Sequence, residues 1–572
     1  MHCSRGSRQP SLSVSWFGPQ STVRYRKHSV LRDLCALGGE IPFQPPTLED
    51  RVSRCRRWIE SAFLILVGFA SPVEAQDSAR DFDVVETTIS EIHDAMRAGR
   101  LTVRRLVDSY IARIEAFDRD GPTFNAITRI HPRARQIADS LDALFVRTGS
   151  FAGPLHGIPI IVKENYDAYD LATTNGARAL AESVPPDDAF MVRRIREAGG
   201  IVFARSNMAE WAFSPLETIG SAHPGYTFNP YALNRVPAGS SGGTAAAVTA
   251  NLGAVGLGTD TGNSIRGPSS HTALVGIRPT IGLTSRDGII PLYLERDVGG
   301  PMARTVEDAA RLLGVVAGAD PADTATSAAR GRVPRTYTEF LNADALSGAR
   351  LGIVRRIVHR EGADSEVNAR FEEAIDELRA AGATVVDWIP LTLLDSVRVT
   401  LCSSFKRDLE SYLATLGDDA PFRTLEAIVD SGAHHPSVER RLRVALEDST
   451  GGESERCRRS AESRNRFQAG LRRIMEEYRL DALVYPTWSN PPRLVGDLTT
   501  PAGDNNQQLA PWSGFPAITV PMGWVRQGTL PAGLQLLGDA WSEGQLIALA
   551  YAYEQRTRHR HPPGTAPALT SR

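Results

Sequence analysis

Lysine is almost missing from this chain. Of 64 basic residues in 572, three are lysine (Lys27, Lys163 and Lys406) and 61 are arginine. A coding bias toward arginine can replace lysine freely on a solvated surface. It cannot do so where chemistry needs an amine able to lose its proton, because guanidinium stays charged in proteins. Charge of one sign is not in excess either: 66 acidic residues give a formal net charge of −2. There is therefore no global electrostatic reason to expect a nucleic-acid partner. Cysteine is scarce, with five residues, which excludes a disulfide-dense scaffold. What is present is the composition of a folded chain: 42% hydrophobic, 23% charged, 49 Gly and 36 Pro, with a mean hydropathy of −0.21. Disordered, collagen-like and multispanning membrane classes are excluded. At about 150 residues per domain the length suggests three to four domains, or one large enzyme with insertions.

The first seventy-five residues read as two processing features rather than fold. Arg51, Arg54, Arg56 and Arg57 form a positive flank. Ala62 to Ala70 is apolar apart from Gly68, and Val73-Glu74-Ala75 is a small-x-small cleavage site before Gln76. This pattern predicts a signal peptide over 51–75, its apolar run far too short to span a bilayer. Residues 1–50 precede it with little periodicity and are predicted to be an over-extended gene start or disordered, with translation beginning near Val52. The mature protein is then expected to be exported, periplasmic or secreted, and free of the membrane. Cleavage leaves 497 residues with a formal charge of −6 and two cysteines, Cys402 and Cys457. Export permits a disulfide between them; the sequence leaves this open against two buried free thiols.

Along the mature chain, Thr88-Ile-Ser-Glu91 is a capping box opening a helix with Ile89, Ile92 and Met96 on one face. Leu101 to Phe117 continues at helical spacing. From 154 onward short β-like runs alternate with helices: GIPIIVK, then a helix over Phe190 to Ala198, then IVFARSN, then a small-residue helix over Ala245 to Asn251. Strand, helix and strand follow over Arg350 to Val354, Glu366 to Ala381 and Thr384 to Trp388. Residues 400–480 are mainly helical and charged, and Asp481 to Pro486 and Ala517 to Val520 read as buried strands. The alternation predicts an α/β class: one large α/β/α domain over about 76–565, a mixed sheet covered by helices.

Three stretches could carry chemistry. Pro237-Ala-Gly-Ser240-Ser241-Gly-Gly-Thr places paired serines among glycines before a helix, with backbone N–H groups left free. Gly258-Thr-Asp260-Thr261-Gly262-Asn263-Ser264-Ile-Arg266 puts a tight turn before a serine, where successive N–H groups can converge on one oxygen. In HGIPIIVKEN, Lys163 ends an apolar strand, where desolvation would depress its pKa and make it a base. Other readings compete. Gly239-Ser-Ser241-Gly-Gly243 fits the G-x-S-x-G elbow with Ser241 as nucleophile, yet nothing selects a partner among His271, His434, His435, His559 and His561. Gly256 to Gly262 narrowly misses a dinucleotide fingerprint, and no Walker A lysine exists. The histidine pairs read as solvated loops. Trp211, Tyr226, Trp488 and Trp512 hint at an apolar pocket, with core packing the plainer account for at least half of them.

Taken together, PAGSSGGTAAAV, GTDTGNSIRGPSSHTALVGIRPT and HGIPIIVKEN resemble the amidase signature hydrolases. AGGIVFARSNMAEWAF, GPMARTVEDAARLL, LDALVYPTW and SGFPAITVPMG are similar to that family as well. The resemblance implies a signature core over about 150–320, a variable substrate-side helical region over about 340–475, and C-terminal core strands over about 479–557. It implies a Ser–cis-Ser–Lys triad with Ser264 as nucleophile, Ser240 as bridging serine and Lys163 as base. The backbone N–H groups of Thr261, Gly262, Asn263 and Ser264 would form the oxyanion hole, and Ser241, Asp260 and Arg266 would support the loop. Asn263 stands where many members have Gly, and Ala238 departs similarly but more mildly. The implied activity is hydrolysis of carboxylic amides through a seryl acyl-enzyme, with no metal or organic cofactor. Its partner would be a small-molecule amide, without nucleic acid, and a homodimer is compatible. The alternatives are an esterase or carbamate hydrolase on the same triad and a non-catalytic binding protein on the same scaffold. A role within a tRNA amidotransferase is disfavoured, since that enzyme belongs in the cytosol.

Overall fold

Short apolar runs bounded by Gly and Pro become strands here, and they join into one mixed sheet. The computed structural model describes residues 82–569 apart from 359, 392–396, 398–401, 403–404 and 448–453. The segments read as signal peptide and extended start lie outside them. All described residues fall within one unit, Ala79–Arg572. The strands are β1 (Ile127–Ile130), β2 (Pro159–Lys163), β3 (Ile201–Ser206), β4 (Val255–Asp260), β5 (Val275–Arg278) and β6 (Val298–Ala303). They continue with β7 (Arg350–Ile353), β8 (Thr384–Val386), β9 (Ala482–Pro486), β10 (Ala517–Val525) and β11 (Leu530–Leu537). Their spatial order is β1-β3-β2-β4-β6-β5-β10-β11-β9-β7-β8.

The β3/β2, β2/β4, β9/β7 and β7/β8 pairs are parallel and the others antiparallel. Interior strands such as β2, β3 and β4 are buried at every residue, whereas edge strands β1 and β8 keep partly exposed positions. That difference follows from covering both faces of a sheet: central strands become continuous apolar runs. The α/β class and the mixed, helix-covered sheet are as the sequence predicts.

Helix α1 (Ile89–Arg97) is closed by the predicted capping box, Thr88 with Glu91. Helix α2 begins at Gly242 and ends at Thr249, shifted toward the serine pair relative to the predicted span, and all eight residues are buried. Gly243 permits that approach, since a Cβ there would collide with the Asn207 backbone carbonyl. A short helix α3 (Arg266–His271) follows β4. The region read as helical and charged forms α4 (Phe405–Thr415), α5 (Leu425–Asp430), α6 (Pro436–Glu447) and α7 (Glu455–Glu477). Phe405, Leu409, Leu413, Leu425, Ile428 and Leu442 from this region bury themselves against Trp211, Phe213, Ile290 and Leu292 of the core loops. Cys402 and Cys457 form a disulfide, which settles what the sequence left open.

Candidate active site

Topology brings the three stretches together. Because β2 and β4 are parallel neighbours, with Val162 opposite Leu257, their C-terminal ends emerge side by side. Lys163, the last residue of β2, is fully buried. Its Nζ lies 2.8 Å from Ser240 Oγ, 3.0 Å from Ser241 Oγ and 2.8 Å from Thr259 Oγ1. Burial pushes the amine down to about 7, against the pull of the Asp260 and Asp297 carboxylates. No carboxylate is among its hydrogen-bond partners. A neutral amine has two N–H donors and one lone pair, so three hydroxyl neighbours satisfy it when one of them donates. Ser241 Oγ donates elsewhere, to the Thr259 carbonyl at 3.2 Å, which leaves its lone pairs for Lys163.

Ser240 and Ser241 sit on the loop entering α2, and the Gly239–Ser240 peptide is cis. Ala238 adopts a φ of 68°, in the region that favours glycine. Ser241 is thus a direct partner of the lysine as well as a loop support. Its backbone N–H also donates to the Ser264 carbonyl at 3.3 Å. The G-x-S-x-G reading fails on this geometry, since no imidazole is among the hydrogen-bond partners of Ser241. His271 instead contacts the Asn490 carbonyl and stacks on Trp488.

The turn after β4 is held by charge. Asp260 accepts from Arg266 Nε at 3.0 Å and from Arg278 Nη1 at 2.8 Å, with all three side chains buried. Burial raises its carboxyl, but the two guanidiniums and their hydrogen bonds outweigh this and hold it at about 2. Its Oδ2 also accepts from the backbone N–H groups of Ile265 and Arg266, while Arg266 Nη2 reaches the Gly262 carbonyl at 2.6 Å. Thr261 Oγ1 donates to Asp297 at 2.5 Å, and Asp297 also accepts from the amides of Leu292 and Tyr293. So clamped, the turn leaves the amide N–H groups of Thr261, Gly262, Asn263 and Ser264 without an acceptor among the described residues. Ser264 Oγ likewise has no partner among them. The Asn263 amide is buried near Gly267, with neither polar atom hydrogen bonded.

Residues 261–264 line a pocket of about 840 Å³ whose other walls include Phe213, Leu292, Tyr293, Arg296, Phe405 and Arg441. Trp211, Tyr226, Trp488 and Trp512 are not among its walls, so the hint of a pocket gives way to packing as the account of these aromatics. Trp211 packs edge-on against Phe405, and Trp512 against Phe467. Sequence reading also missed Thr259, Arg278, Asp297 and Arg296. For Thr259 the signal depends on recognising β4 as a parallel neighbour of the lysine strand, which brings its C-terminal end beside the amine.

A family model described as Amidase matches residues 105–547. A probable amidase of Arabidopsis thaliana is 33% identical over 525 residues, 88% of this chain and 96% of the relative. A glutamyl-tRNA(Gln) amidotransferase subunit of Acinetobacter baylyi is 33% identical over 489 residues, 83% of this chain and 97% of the relative. Among solved structures, the native peptide amidase of Stenotrophomonas maltophilia matches with a TM-score of 0.76 at 37% identity, over 84% of this chain and 99% of that one. Sheet and relatives agree: the chain belongs to the amidase family and is an amide-hydrolysing enzyme.

Proposed function

We propose that hydrolysis runs through a seryl acyl-enzyme on Ser264, with Ser240 as proton bridge and Lys163 as general base. The observation that carries the reading is the buried Lys163 amine, 2.8 Å from Ser240 and ringed by hydroxyls. Neutral Lys163 donates its two N–H groups to Ser241 and Thr259 and accepts the Ser240 proton. Ser240 in turn takes the proton of Ser264 as Ser264 Oγ bonds the amide carbonyl carbon. The Ser240–Ser264 hydrogen bond belongs to the substrate-bound state, since catalytic hydrogen bonds tighten on binding. The carbonyl oxygen, now anionic, meets unengaged N–H groups of 261–264, and losing one such donor typically costs about 3–4 kcal/mol of barrier. Collapse breaks the C–N bond, and the amine leaves with the proton returned through Ser240. Water then repeats the route on the acyl-enzyme, releasing the acid.

The pocket volume is in the range of sites for drug-sized ligands, roughly 300–1,000 Å³, so we place the substrates among amides larger than simple aliphatic ones. The likeness to a peptide amidase makes peptide-terminal amides the first class to assay. An esterase or carbamate activity on the same triad is the second reading, since better leaving groups use the same machinery. We further propose that the protein is exported, on the strength of the segment at 51–75. Labelling by a fluorophosphonate that disappears in Ser264→Ala tests the nucleophile; labelling that persists there refutes it.

A further inference from the structure

Arg296 lies on the pocket wall with Ser264, in the loop before β6, and is 8% exposed. Its backbone carbonyl accepts from Arg278 Nη2 at 2.8 Å, and its guanidinium lies 6.0 Å from the Trp512 ring centroid. The backbone of the residue is thus held, and its guanidinium lies beside an aromatic face. Its Nε is enclosed without a hydrogen-bond partner, and among the described residues nothing accepts from its terminal nitrogens. Four other arginines of this region are each matched to an acid. Arg266 and Arg278 share Asp260, Arg286 pairs with Asp323, and Arg464 pairs with Glu295. Glu295, the acid adjacent in sequence, is thus already engaged. Nearer the mouth Arg441 adds a second cation, bonded to the Phe213 carbonyl rather than to a carboxylate. Glu447 is the acid on the same rim. A buried guanidinium that no acid contacts directly is costly, and an anion that fits the fork relieves the cost.

We propose that Arg296 is an anion-recognising subsite, so that preferred substrates carry a carboxylate on its guanidinium while the scissile carbonyl lies at Ser264. This rests on the assignment of Ser264 as nucleophile. Because the carboxylate can sit on either side of the amide, two matched sets of anilides serve as probes. In one, a butyranilide carries a carboxylate, a methyl or an ammonium group at the end of its acyl chain. In the other, an acetanilide carries carboxymethyl, methyl or aminomethyl on its ring. Each is measured for protection of the full chain against fluorophosphonate labelling. In one set the anion should protect at a concentration at least about tenfold lower than its neutral and cationic counterparts. Arg296→Gln should bring that ratio close to one, and Arg296→Lys should retain part of it. Equal protection in both sets, or a preference that survives in Arg296→Gln, overturns the proposal. Wild-type labelling that is absent, or that persists in Ser264→Ala, overturns the nucleophile assignment instead.

Discussion

At Lys163, the proposed base, one proton should decide whether the site can work. With the amine held at about 7, its base form grows as pH rises through neutrality. The value of kcat/KM should climb through about pH 7 and then level off, and a profile flat from pH 5 to 9 would remove lysine from the base role. Lys163→Arg should be nearly as damaging as Lys163→Ala, each by about 10²–10⁴-fold in kcat, because guanidinium cannot serve as a neutral base. Substantial turnover in Lys163→Arg, measured with the fold verified by circular dichroism, would contradict this. The same composition explains what was legible at this scale. With three lysines in the chain, the one ending an apolar strand stands out. With 61 arginines, Arg278 and Arg296 carry no mark of their burial, and only the fold separates them from surface arginines.

At the scale of the element, the turn after β4 depends on Asp260. Asp260→Asn removes the charge shared by two buried arginines, and the usual cost of breaking such a pair is about 3–5 kcal/mol. Chemical unfolding should show a loss of that order, with a drop in kcat, because the same carboxylate holds the amides that begin α3. Its folded-state pKa lies below the ordinary aspartate value. Its contribution to stability is therefore present above the ordinary aspartate range and is lost as pH falls through about 2. An acid-unfolding limb unchanged in the variant would count against this. The strand itself was hidden in the sequence. Val255-Gly-Leu-Gly-Thr-Asp contains two glycines, which weaken a strand pattern and mimic a nucleotide loop. Gly258 is needed because a Cβ there would crowd Ser241 Oγ and the Met302 sulfur. Hairpin β10–β11 was half legible, since Ala517 to Val520 reads as a strand while its antiparallel partner β11 went unrecognised.

Across the whole molecule, the sheet supplies Lys163 and the ends from which the loops of Ser240 and Ser264 spring, and the helices α4–α7 supply much of the pocket wall. Their charged, amphipathic sequence announced helices but not where they dock, because docking depends on apolar partners distant in the chain, such as Phe213 and Leu292. The disulfide spans 55 residues of this region. For such a loop the chain-entropy account gives about 4 kcal/mol. The Cys402→Ser/Cys457→Ser double variant should lose about 2–4 kcal/mol in chemical denaturation, and an unchanged midpoint would mean the bond does not support the helices. Export has its own check: mass spectrometry of protein secreted by the native host should find Gln76 at the N-terminus, and a start well upstream would exclude the cleavage.

The disulfide also gives the molecule a division of labour. Residues 402–457 form a covalent ring that includes α4, α5 and α6 and contributes Phe405, Arg441 and Glu447 to the pocket. The ring carries no residue of the proposed triad. Part of the pocket wall is thereby housed apart from the proposed triad, while Leu292, Tyr293 and Arg296 complete it from the loop before β6. Substitutions at Arg441 or Glu447 therefore reach the pocket wall while leaving Lys163, Ser240 and Ser264 in place.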